Sequence, residues 1–357
     1  MSAVLVTGAA GFVGQRVMRR LATYPDPIVA VDAVPIGGEA GDHSEKRVID
    51  LARDPSDRLG AAMAGAESVI HLAWSHSEPG PASPGVPFPN LAALRRVLNE
   101  AGRAGVRRLV HVSSATVYGA WPDNPIPLAE DAALRPNPGF AYAVQKAEAE
   151  RMVAEWADQH PDVKVAILRP SVTVGSSSPA LYQALAGTRS PQAEESIRPM
   201  QFLDVEDLAG AVVFAWDHQL VGVYNVAPDG WLTHDQARAI VGGVARLRLP
   251  GRLAGTVASV GWRVLRTGTP TEALPYSIHP WVVANDRLRA AGWVPQRSNE
   301  EALVSSDDRS HWSDLSPSRR QELALVAAAG GMLAMLAGAV AGVAAVLGRA
   351  RRRRRHR

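Results

Sequence analysis

Short apolar runs alternate with longer amphipathic segments through the first two-thirds of the chain. Runs rich in Val, Ile and Leu predict buried parallel strands at AVLVTG, PIVAVD, SVIHLA, RRLVHVSS and VKVAILRP. Apolar residues recur at helical spacing in GQRVMRRLATY, LAALRRVLNEAGRAG and AYAVQKAEAERMVAEWADQH. The alternation predicts right-handed βαβ units and an α/β fold with a doubly wound parallel sheet, which a later run, GVYNVAPDG, is expected to rejoin.

A glycine-rich turn follows the first apolar run, where VLVTGAAGFVG places Gly8, Gly11 and Gly14 before a helical pattern. Glycines at this spacing let a strand–turn–helix unit present backbone N–H groups to a pyrophosphate at close range. The alternative is a tight turn that needs glycine for its own geometry. The position directly after the first strand favours a dinucleotide site in a Rossmann fold.

Two acidic positions extend this interpretation to the neighbouring strands. Asp32 ends the second apolar run, 18 residues after Gly14. A carboxylate there accepts hydrogen bonds from the ribose hydroxyls of NAD and repels the 2′-phosphate of NADP, so NAD is expected over NADP. A loop acid or a helix N-cap is the alternative for Asp32. Asp50 and Leu51 stand where the next strand would end, either as adenine contacts or as solvated loop residues.

The same patterns predict how the chain is organised. A Rossmann core is followed by a smaller C-terminal substrate lobe, which lacks strict strand–helix alternation, and then by a polar linker. The chain is expected to end with a hydrophobic helix and an arginine-rich tail. The predicted boundaries are 1–170 with 201–227 for the core, 171–200 and 228–303 for the lobe, 304–320 for the linker, 321–348 for the helix and 349–357 for the tail.

The hydrophobic helix predicts membrane attachment. Residues 323–347 carry no charge, and as a helix they would extend ~37 Å, enough to cross a ~30 Å hydrocarbon core. The N-terminus lacks the features of a signal peptide, so we expect a cytoplasmic catalytic domain, with the arginine tail among anionic headgroups. Ten of these 25 residues are alanine, and a single span would put the arginines outside. A helix along the inner leaflet, a soluble oligomerising helix and a disordered tail are therefore alternatives.

Cysteine content and charge exclude several classes of site. Without cysteine there are no disulfides, thiolate metal centres or cysteine nucleophiles, and no metal is expected. The net charge of +3 comes from the tail, because seven arginines lie in residues 349–357 and the rest of the chain carries 31 basic against 35 acidic side chains. No nucleic-acid partner is expected; salt-dependent binding by the tail alone is the alternative.

Six short motifs follow one another in a recognisable order. They are TGAAGFVG, HLA at 71–73, SSATVYG at 113–119, YAVQK at 142–146, LRP at 168–170 and QFLDVEDLA at 201–209. In this order and spacing the chain resembles the extended short-chain dehydrogenases/reductases, the NAD-dependent epimerase/dehydratase group. The resemblance extends over about residues 1–300, and AAGWVP at 290–295 matches its C-terminal end.

This resemblance implies catalytic roles for Ser114, Tyr142 and Lys146. Tyr142 and Lys146 are four residues apart and therefore share one helix face. The ammonium is expected to lower the pKa of the Tyr142 phenol from about 10 toward working pH. Tyr142 would then exchange a proton with a substrate oxygen held by Ser114, while hydride moves to or from nicotinamide. Asn90 matches a supporting asparagine of the family, or it caps the helix that follows.

Further contacts are implied by the same resemblance. Thr116 matches a residue that orients substrate in UDP-galactose 4-epimerases, and Ala115-Thr116 replaces the Asp-Glu pair that serves elimination in the dehydratases. Met200 stands where the family has an arginine for a diphosphate; Arg198 either substitutes for it or is a solvated loop residue. Contacts to the cofactor are expected from Phe12, Val13, Leu72, Ala73 and Pro170, together with Tyr142 and Lys146.

These features predict an NAD-dependent oxidoreductase or epimerase that acts on a secondary alcohol or ketone of a small-molecule substrate. The short segment 171–200 favours a substrate smaller or more apolar than a nucleotide sugar. The alternatives are a nucleotide-sugar epimerase and a non-catalytic dinucleotide-sensing protein; the presence of Ser114, Tyr142 and Lys146 together favours an enzyme. A homodimer through the helices that flank the site would suit the family.

Overall fold

The apolar runs of the sequence form strands of a parallel sheet. A computed structural model describes residues 3–37, 44–75, 88–186, 198–241 and 271–306, all within one compact unit. The strands of this part of the chain are β1 (Ala3–Thr7), β2 (Ile28–Asp32), β3 (Ser44–Val48), β4 (Ala66–His71), β5 (Arg108–Val112), β6 (Lys164–Pro170), β7 (Val172–Val174), β8 (Phe202–Asp204) and β9 (Gly222–Val226).

Seven of these strands form one sheet in the order β3-β2-β1-β4-β5-β6-β9, with every neighbouring pair parallel. This order confirms the predicted α/β fold with a doubly wound parallel sheet. Strand β1 pairs with both β2 and β4, so the strand order changes direction there. In open parallel sheets a crevice opens at such a point, beyond the carboxyl ends of the strands. Strands β7 and β8 pair separately as a small parallel sheet.

Helices lie in most of the connections between the strands, as is usual for parallel pairing. In the described residues they are α1 (Gly14–Leu21), α2 (Ser56–Met63), α3 (Pro89–Ala104), α4 (Ala141–Gln159), α5 (Ala180–Ala186), α6 (Val205–Asp217), α7 (His234–Val241), α8 (Pro275–Ile278), α9 (Asp286–Ala290) and α10 (Asn299–Ser306). Two short 3₁₀ helices lie at Ala115–Tyr118 and Thr271–Ala273.

Hydrophobic residues on the two faces of the sheet belong to different cores. Val4 and Val6 of β1 pack with α1 and α6, whereas Leu5 between them packs with α2, α3 and α4. Successive side chains of a strand point to opposite faces, which is why a continuous apolar run marks a strand covered on both sides. A third core surrounds Tyr142 and Tyr118 and includes the small sheet, α5 and Trp281.

Two segments differ from the expected pattern. Strand β3 has the polar sequence SEKRV and lies at the sheet edge, where one face and one backbone edge can remain solvated. Residues 304–306, which the sequence assigned to the linker, complete α10.

The rest of the predicted linker, the hydrophobic helix 321–348 and the tail 349–357 lie outside the described residues. Membrane attachment therefore stays a prediction from the sequence. In the part of the chain that the structure describes, no helix combines the length and the apolar character needed to cross a bilayer.

Candidate active site

The glycine-rich turn between β1 and α1 is packed too closely for side chains. Gly8 has φ +74°, and a Cβ atom there would lie 2.6 Å from the backbone nitrogen of Ala73. A Cβ at Gly14 would overlap the carbonyl oxygen of Gly8. Gly11, by contrast, is exposed and lines the crevice, where the absence of a side chain lets a ligand approach the backbone.

Asp32, at the end of β2, supports this turn. Its carboxylate accepts hydrogen bonds from the backbone N–H groups of Ala10 (2.9 Å) and Val34 (3.2 Å) and also lines the crevice. Asp32 therefore acts in part as a loop acid, which was the alternative interpretation. Because it also lines the crevice, it is still suited to contact a ribose. Asp50 also binds its own loop, through the N–H groups of Ala52 and Arg53, and Leu51 is buried beside it.

The crevice has the lining and the access to solvent that a dinucleotide site needs. Its volume is about 340 Å³. The sheet order puts Asp32 and Asp50 on one side of β1 and Lys146, which lies by β5, on the other. Between them the wall is formed by residues that the sequence predicted as cofactor contacts, namely Phe12, Val13, Leu72 and Ala73.

Ser114 and Tyr142 lie together at the end of β5. Their side chains share a hydrogen bond, and both line a smaller cavity of about 10 Å³. Ser114 begins the first 3₁₀ helix, and its Oγ accepts hydrogen bonds from the backbone N–H (3.2 Å) and hydroxyl (2.9 Å) of Thr116. The Thr116 hydroxyl therefore orients Ser114, in addition to lining the cavity where a substrate contact was predicted.

Lys146 is placed one turn after Tyr142 on α4 and lines the cofactor crevice. Its ammonium donates to the carbonyl oxygen of Val112 (2.9 Å) and lies 3.7 Å from the ring centre of Trp74. Burial lowers the pKa of Lys146 to about 7, although the Glu150 carboxylate acts in the opposite direction. An aromatic face favours the charged form of an ammonium, so Trp74 supports the cationic state of Lys146.

The pKa of Tyr142 differs from the expected direction. Burial raises it well above the usual value, Tyr182 raises it further, and the hydrogen bond with Ser114 acts against both. The expected lowering by Lys146 is wrong for this arrangement, because desolvation disfavours the phenolate more than the neighbours favour it. Near neutral pH Tyr142 therefore keeps its proton.

Tyr182 of α5 joins the two cavities. Its side chain shares a hydrogen bond with Tyr142 and lines both the cofactor crevice and the smaller cavity. Pro170, predicted as a cofactor contact, lines the smaller cavity instead. The sequence offered no signal for Tyr182, which comes from the irregular stretch after β7.

A buried ion pair holds α4 against the sheet. Glu150, two turns after Tyr142 on the same helix face, accepts hydrogen bonds from Ser113 and from Nε and Nη2 of Arg169 on β6. The ion pair is 2.6 Å long, and both side chains are almost completely buried. Arg169 also donates to the hydroxyl of Tyr118 at 2.8 Å. Glu150 follows Lys146 by four residues in the sequence, a spacing that places the two opposite charges on one helix face and could have predicted this position.

Two buried histidines lie beneath Lys146. His71 of β4 and His111 of β5 stack with ring centres 5.5 Å apart, and Nδ1 of His71 is 2.8 Å from the hydroxyl of Thr7. Burial lowers the pKa of His71 to about 3 and that of His111 well below its usual value, and the positive charge of Lys146 acts in the same direction. Both rings are therefore neutral at neutral pH.

Asn90 supports the loop after β4. Its side-chain oxygen accepts from the N–H of Ser75 (2.9 Å), and its amide nitrogen donates to the carbonyl oxygen of Ser75 (3.0 Å) and to Gln145 (3.3 Å). The N-cap alternative is wrong, because α3 begins at Pro89 and Asn90 lies inside it. Gln145 belongs to α4, so Asn90 links this loop to the helix that carries Tyr142.

The Arg198 side chain is buried, so its interpretation as a solvated loop residue is wrong. Only 5% of Arg198 is exposed, and its Nη1 donates to the carbonyl oxygen of Tyr276 at 2.7 Å. Met200, at the position of the family's arginine, is also buried and pairs with Leu232 through the backbone. Arg198 lines a cavity that adjoins the one with Tyr142.

Fold and site together define a Rossmann-type dinucleotide-binding protein with a Tyr-x-x-x-Lys helix beside the cofactor crevice. Comparison with known proteins agrees with this class. Residues 4–227 match the model of the NAD dependent epimerase/dehydratase family, and the chain belongs to that family. Membership confirms the predicted resemblance, an enzyme as the class of protein, and NAD as the cofactor.

Individual relatives are more distant. The UDP-glucose 4-epimerase of Azospirillum brasilense is 26% identical over 333 residues, which cover 85% of this chain and 90% of the relative. A uronate dehydrogenase of Pseudomonas syringae is 29% identical over 182 residues, or 49% of this chain and 60% of the relative. The Thermus thermophilus UDP-glucose 4-epimerase in complex with NAD superimposes with a TM-score of 0.64 at 21% identity, covering 85% and 97% of the two chains.

Proposed function

We propose that this enzyme transfers hydride between NAD and a secondary alcohol or ketone, with Tyr142 as the proton-transferring residue. The observation that carries the proposal is the position of Tyr142. It is hydrogen-bonded to Ser114 in one cavity, while Lys146, one turn later, lines the cofactor crevice. Tyr182 lines both, so a substrate beside Tyr142 would lie next to the cofactor.

The residues have separate tasks in this proposal. Gly11 and Asp32 bind the dinucleotide, which supplies the hydride acceptor or donor. Ser114 holds the reacting oxygen by a hydrogen bond. Tyr142, protonated near neutral pH, gives its proton to that oxygen when a ketone is reduced. In the oxidation direction Tyr142 must first lose the proton, so the oxidation rate should rise with pH as long as Lys146 keeps its charge.

The surroundings of Lys146 support its role as a positioning cation. A fixed ammonium between the tyrosine and the crevice favours negative charge on the reacting oxygen. The carbonyl oxygen of Val112, the Trp74 ring and Glu150 stabilise the charged form against burial. Asn90 acts indirectly, by joining the loop after β4 to α4 through Gln145.

Nucleotide-sugar epimerisation is the second candidate. It is favoured by the similarity to the Azospirillum brasilense UDP-glucose 4-epimerase over most of both chains. Met200 in place of the family's arginine, and a compact cavity beside Tyr142, favour a smaller substrate. Attachment to a membrane through residues 321–348 and dimerisation stay predictions from the sequence.

Replacing Tyr142 with phenylalanine tests the proposal. The variant Tyr142→Phe lacks the transferable proton, and we expect kcat to fall by about 10²–10⁴-fold because positioned acid–base groups contribute rate factors of that size. NAD binding, measured by isothermal titration calorimetry, should stay close to that of the wild type. The control is Tyr24→Phe, which alters a tyrosine on the far side of the sheet beside Trp216. Unchanged turnover in Tyr142→Phe would contradict the assignment.

A further inference from the structure

Arg198 is a buried cation without a buried anion. Its Nη1 donates to the carbonyl oxygen of Tyr276, whereas its Nε has no hydrogen-bond partner. Among the described residues no carboxylate forms an ion pair with it. Burial lowers the pKa of Arg198 to about 10. Taking a guanidinium out of water without a counter-charge is costly, so buried charges in proteins are normally paired.

Arg169 shows how the same fold satisfies a buried arginine. It is as buried as Arg198, at 5% exposure, but Glu150 accepts hydrogen bonds from two of its nitrogens. The contrast indicates that Arg198 is kept for a partner outside the chain's own described residues. Buried unpaired charges of this kind are typical of functional sites.

The cavity beside Arg198 contains a second unsatisfied donor. Its volume is about 10 Å³, which is room for about one water molecule, and its wall includes Ser171, Gln201 and Trp281. The Ser171 hydroxyl is buried and has no hydrogen-bond partner. Gln201 is already committed to backbone groups, including the N–H and carbonyl of Val283. Arg198 and Ser171, each with one buried donor that has no hydrogen-bond partner, thus both line this small cavity.

This space adjoins the proposed catalytic cavity. Ser171, Leu185 and Trp281 line both the cavity with Arg198 and the cavity with Ser114 and Tyr142. Another group of a molecule whose reacting carbon lies beside Tyr142 would therefore be directed toward Arg198. Arg198 is the one charged side chain that lines either cavity within the described residues.

We propose that Arg198 and Ser171 bind a carboxylate of the substrate, so that the enzyme acts on a hydroxy acid or its keto acid. This inference rests on the hydride transfer proposed above. A carboxylate carries one charge and two oxygens, which match one guanidinium fork and one hydroxyl. A diphosphate carries more charge and more oxygens than these two side chains can satisfy, and the cavity is compact.

Matched acid and neutral ligands test the proposal on the full-length chain with NAD. The pairs are galacturonate with galactose, glucuronate with glucose, and 3-hydroxybutyrate with 2-butanol; UDP-glucose represents a diphosphate. Binding is measured calorimetrically in the Tyr142→Phe variant, in which turnover does not consume the ligand. We expect at least one acid to bind about tenfold or more tightly than its neutral partner, as a charge-assisted hydrogen bond implies.

Substitutions at Arg198 assign the preference to this site. Arg198→Met should bind acid and neutral partners alike, and Arg198→Lys should keep part of the preference, while both bind NAD as the wild type does. The matched control is Arg151→Met, which removes an exposed arginine of α4 and should keep the full preference. If Arg198→Met does not fold, the acid preference of Arg198→Lys, measured with the same ligand pairs, still tests the proposal. The variant E194Q/E195Q, which removes the carboxylates nearest in sequence, should also keep the preference.

The outcomes separate this inference from the proposed function. Equal or tighter binding of every neutral partner, or tighter binding of UDP-glucose than of any acid, overturns the carboxylate site. If the wild type turns over a neutral alcohol and shows no preference for acids, the carboxylate site is overturned but the proposed hydride transfer is supported. An acid preference that depends on Arg198, without turnover of any compound, supports the site and counts against the proposed function.

Discussion

Replacing Glu150 with glutamine tests whether the buried ion pair, and not the helix propensity of α4, holds the catalytic face in place. Glu150 is 3% exposed and Arg169 5%, so the variant Glu150→Gln leaves a guanidinium in the core without its counter-charge. The glutamine keeps the size and one acceptor oxygen of the native side chain. Its NH₂ group, however, cannot accept the hydrogen bonds that the Arg169 guanidinium donates to the native carboxylate.

The expected loss of stability is large. Removing one partner of a buried ion pair costs about 3–5 kcal/mol, because the remaining charge is uncompensated. For a domain of this size about 1 kcal/mol corresponds to ~2–4 °C in Tm, so Tm should fall by roughly 6–20 °C. Arg169 keeps its bonds to the Tyr118 hydroxyl and the Glu130 carbonyl oxygen, which favours the lower half of this range.

The control lies two residues away on the same helix. Glu148 pairs with Arg151 at the surface, where both side chains are more than a third exposed. Exposed ion pairs contribute about 0–1 kcal/mol, so Glu148→Gln should shift Tm by at most a few degrees. The double variant Glu150→Gln/Arg169→Met removes both buried charges and should regain stability relative to Glu150→Gln alone.

Thermal and urea unfolding of the full-length proteins measure these differences, with circular dichroism as the probe. A second readout concerns Lys146, since Glu150 raises its pKa. In Glu150→Gln the ammonium should be lost at a lower pH, and the alkaline limb of the activity profile should move down with it. Equal Tm shifts for Glu150→Gln and Glu148→Gln would refute the reasoning.

Two further predictions concern the cofactor site and the histidines. Asp32→Asn keeps an acceptor for the N–H of Ala10 but removes the charge that repels a 2′-phosphate. The affinity for NADP relative to NAD, measured by calorimetric titration, should therefore rise at least tenfold. An unchanged ratio of the two affinities would contradict the role of Asp32. Because the folded state keeps His71 and His111 neutral, stability should fall as pH drops below about 6.5, by about 1.4 kcal/mol per pH unit for each ring. His111→Leu should remove one of these two contributions, and a slope equal to that of the wild type in urea titrations between pH 6 and 4 would show otherwise.

The sheet was predictable where both of its faces are covered. Strand β1 and residues 165–168 of β6 are continuous apolar runs because helices cover them on both sides. Strand β3 was not predictable from periodicity, since SEKRV is largely exposed and its pairing with β2 is made by the backbone. Its formation depends on the neighbouring strand, which a local pattern does not contain.

The residues of the candidate site also divide into those that a local sequence pattern predicts and those that depend on distant parts of the chain. Gly8 and Gly14 were predicted from their spacing in a turn, whereas the roles of Tyr142 and Lys146 were predicted from the family resemblance, with their spacing placing both on one helix face. The burial of Arg198 depends on Ser171, Trp281 and Tyr276, which are all distant in sequence from Arg198. The direction of the Tyr142 pKa likewise depends on how completely the third core covers it.

Deuterium transfer in a single turnover is a direct test of hydride transfer and of the role of Tyr142. The full-length enzyme with NAD is mixed with the best substrate of the ligand panel, deuterated at the carbinol carbon, and products are analysed by mass spectrometry and NMR. We expect the wild type to move deuterium to NAD, or to return it to the same carbon with inverted configuration if the enzyme is an epimerase. Tyr142→Phe should bind both ligands and leave the deuterium in place. Transfer by Tyr142→Phe at the wild-type rate would contradict the account.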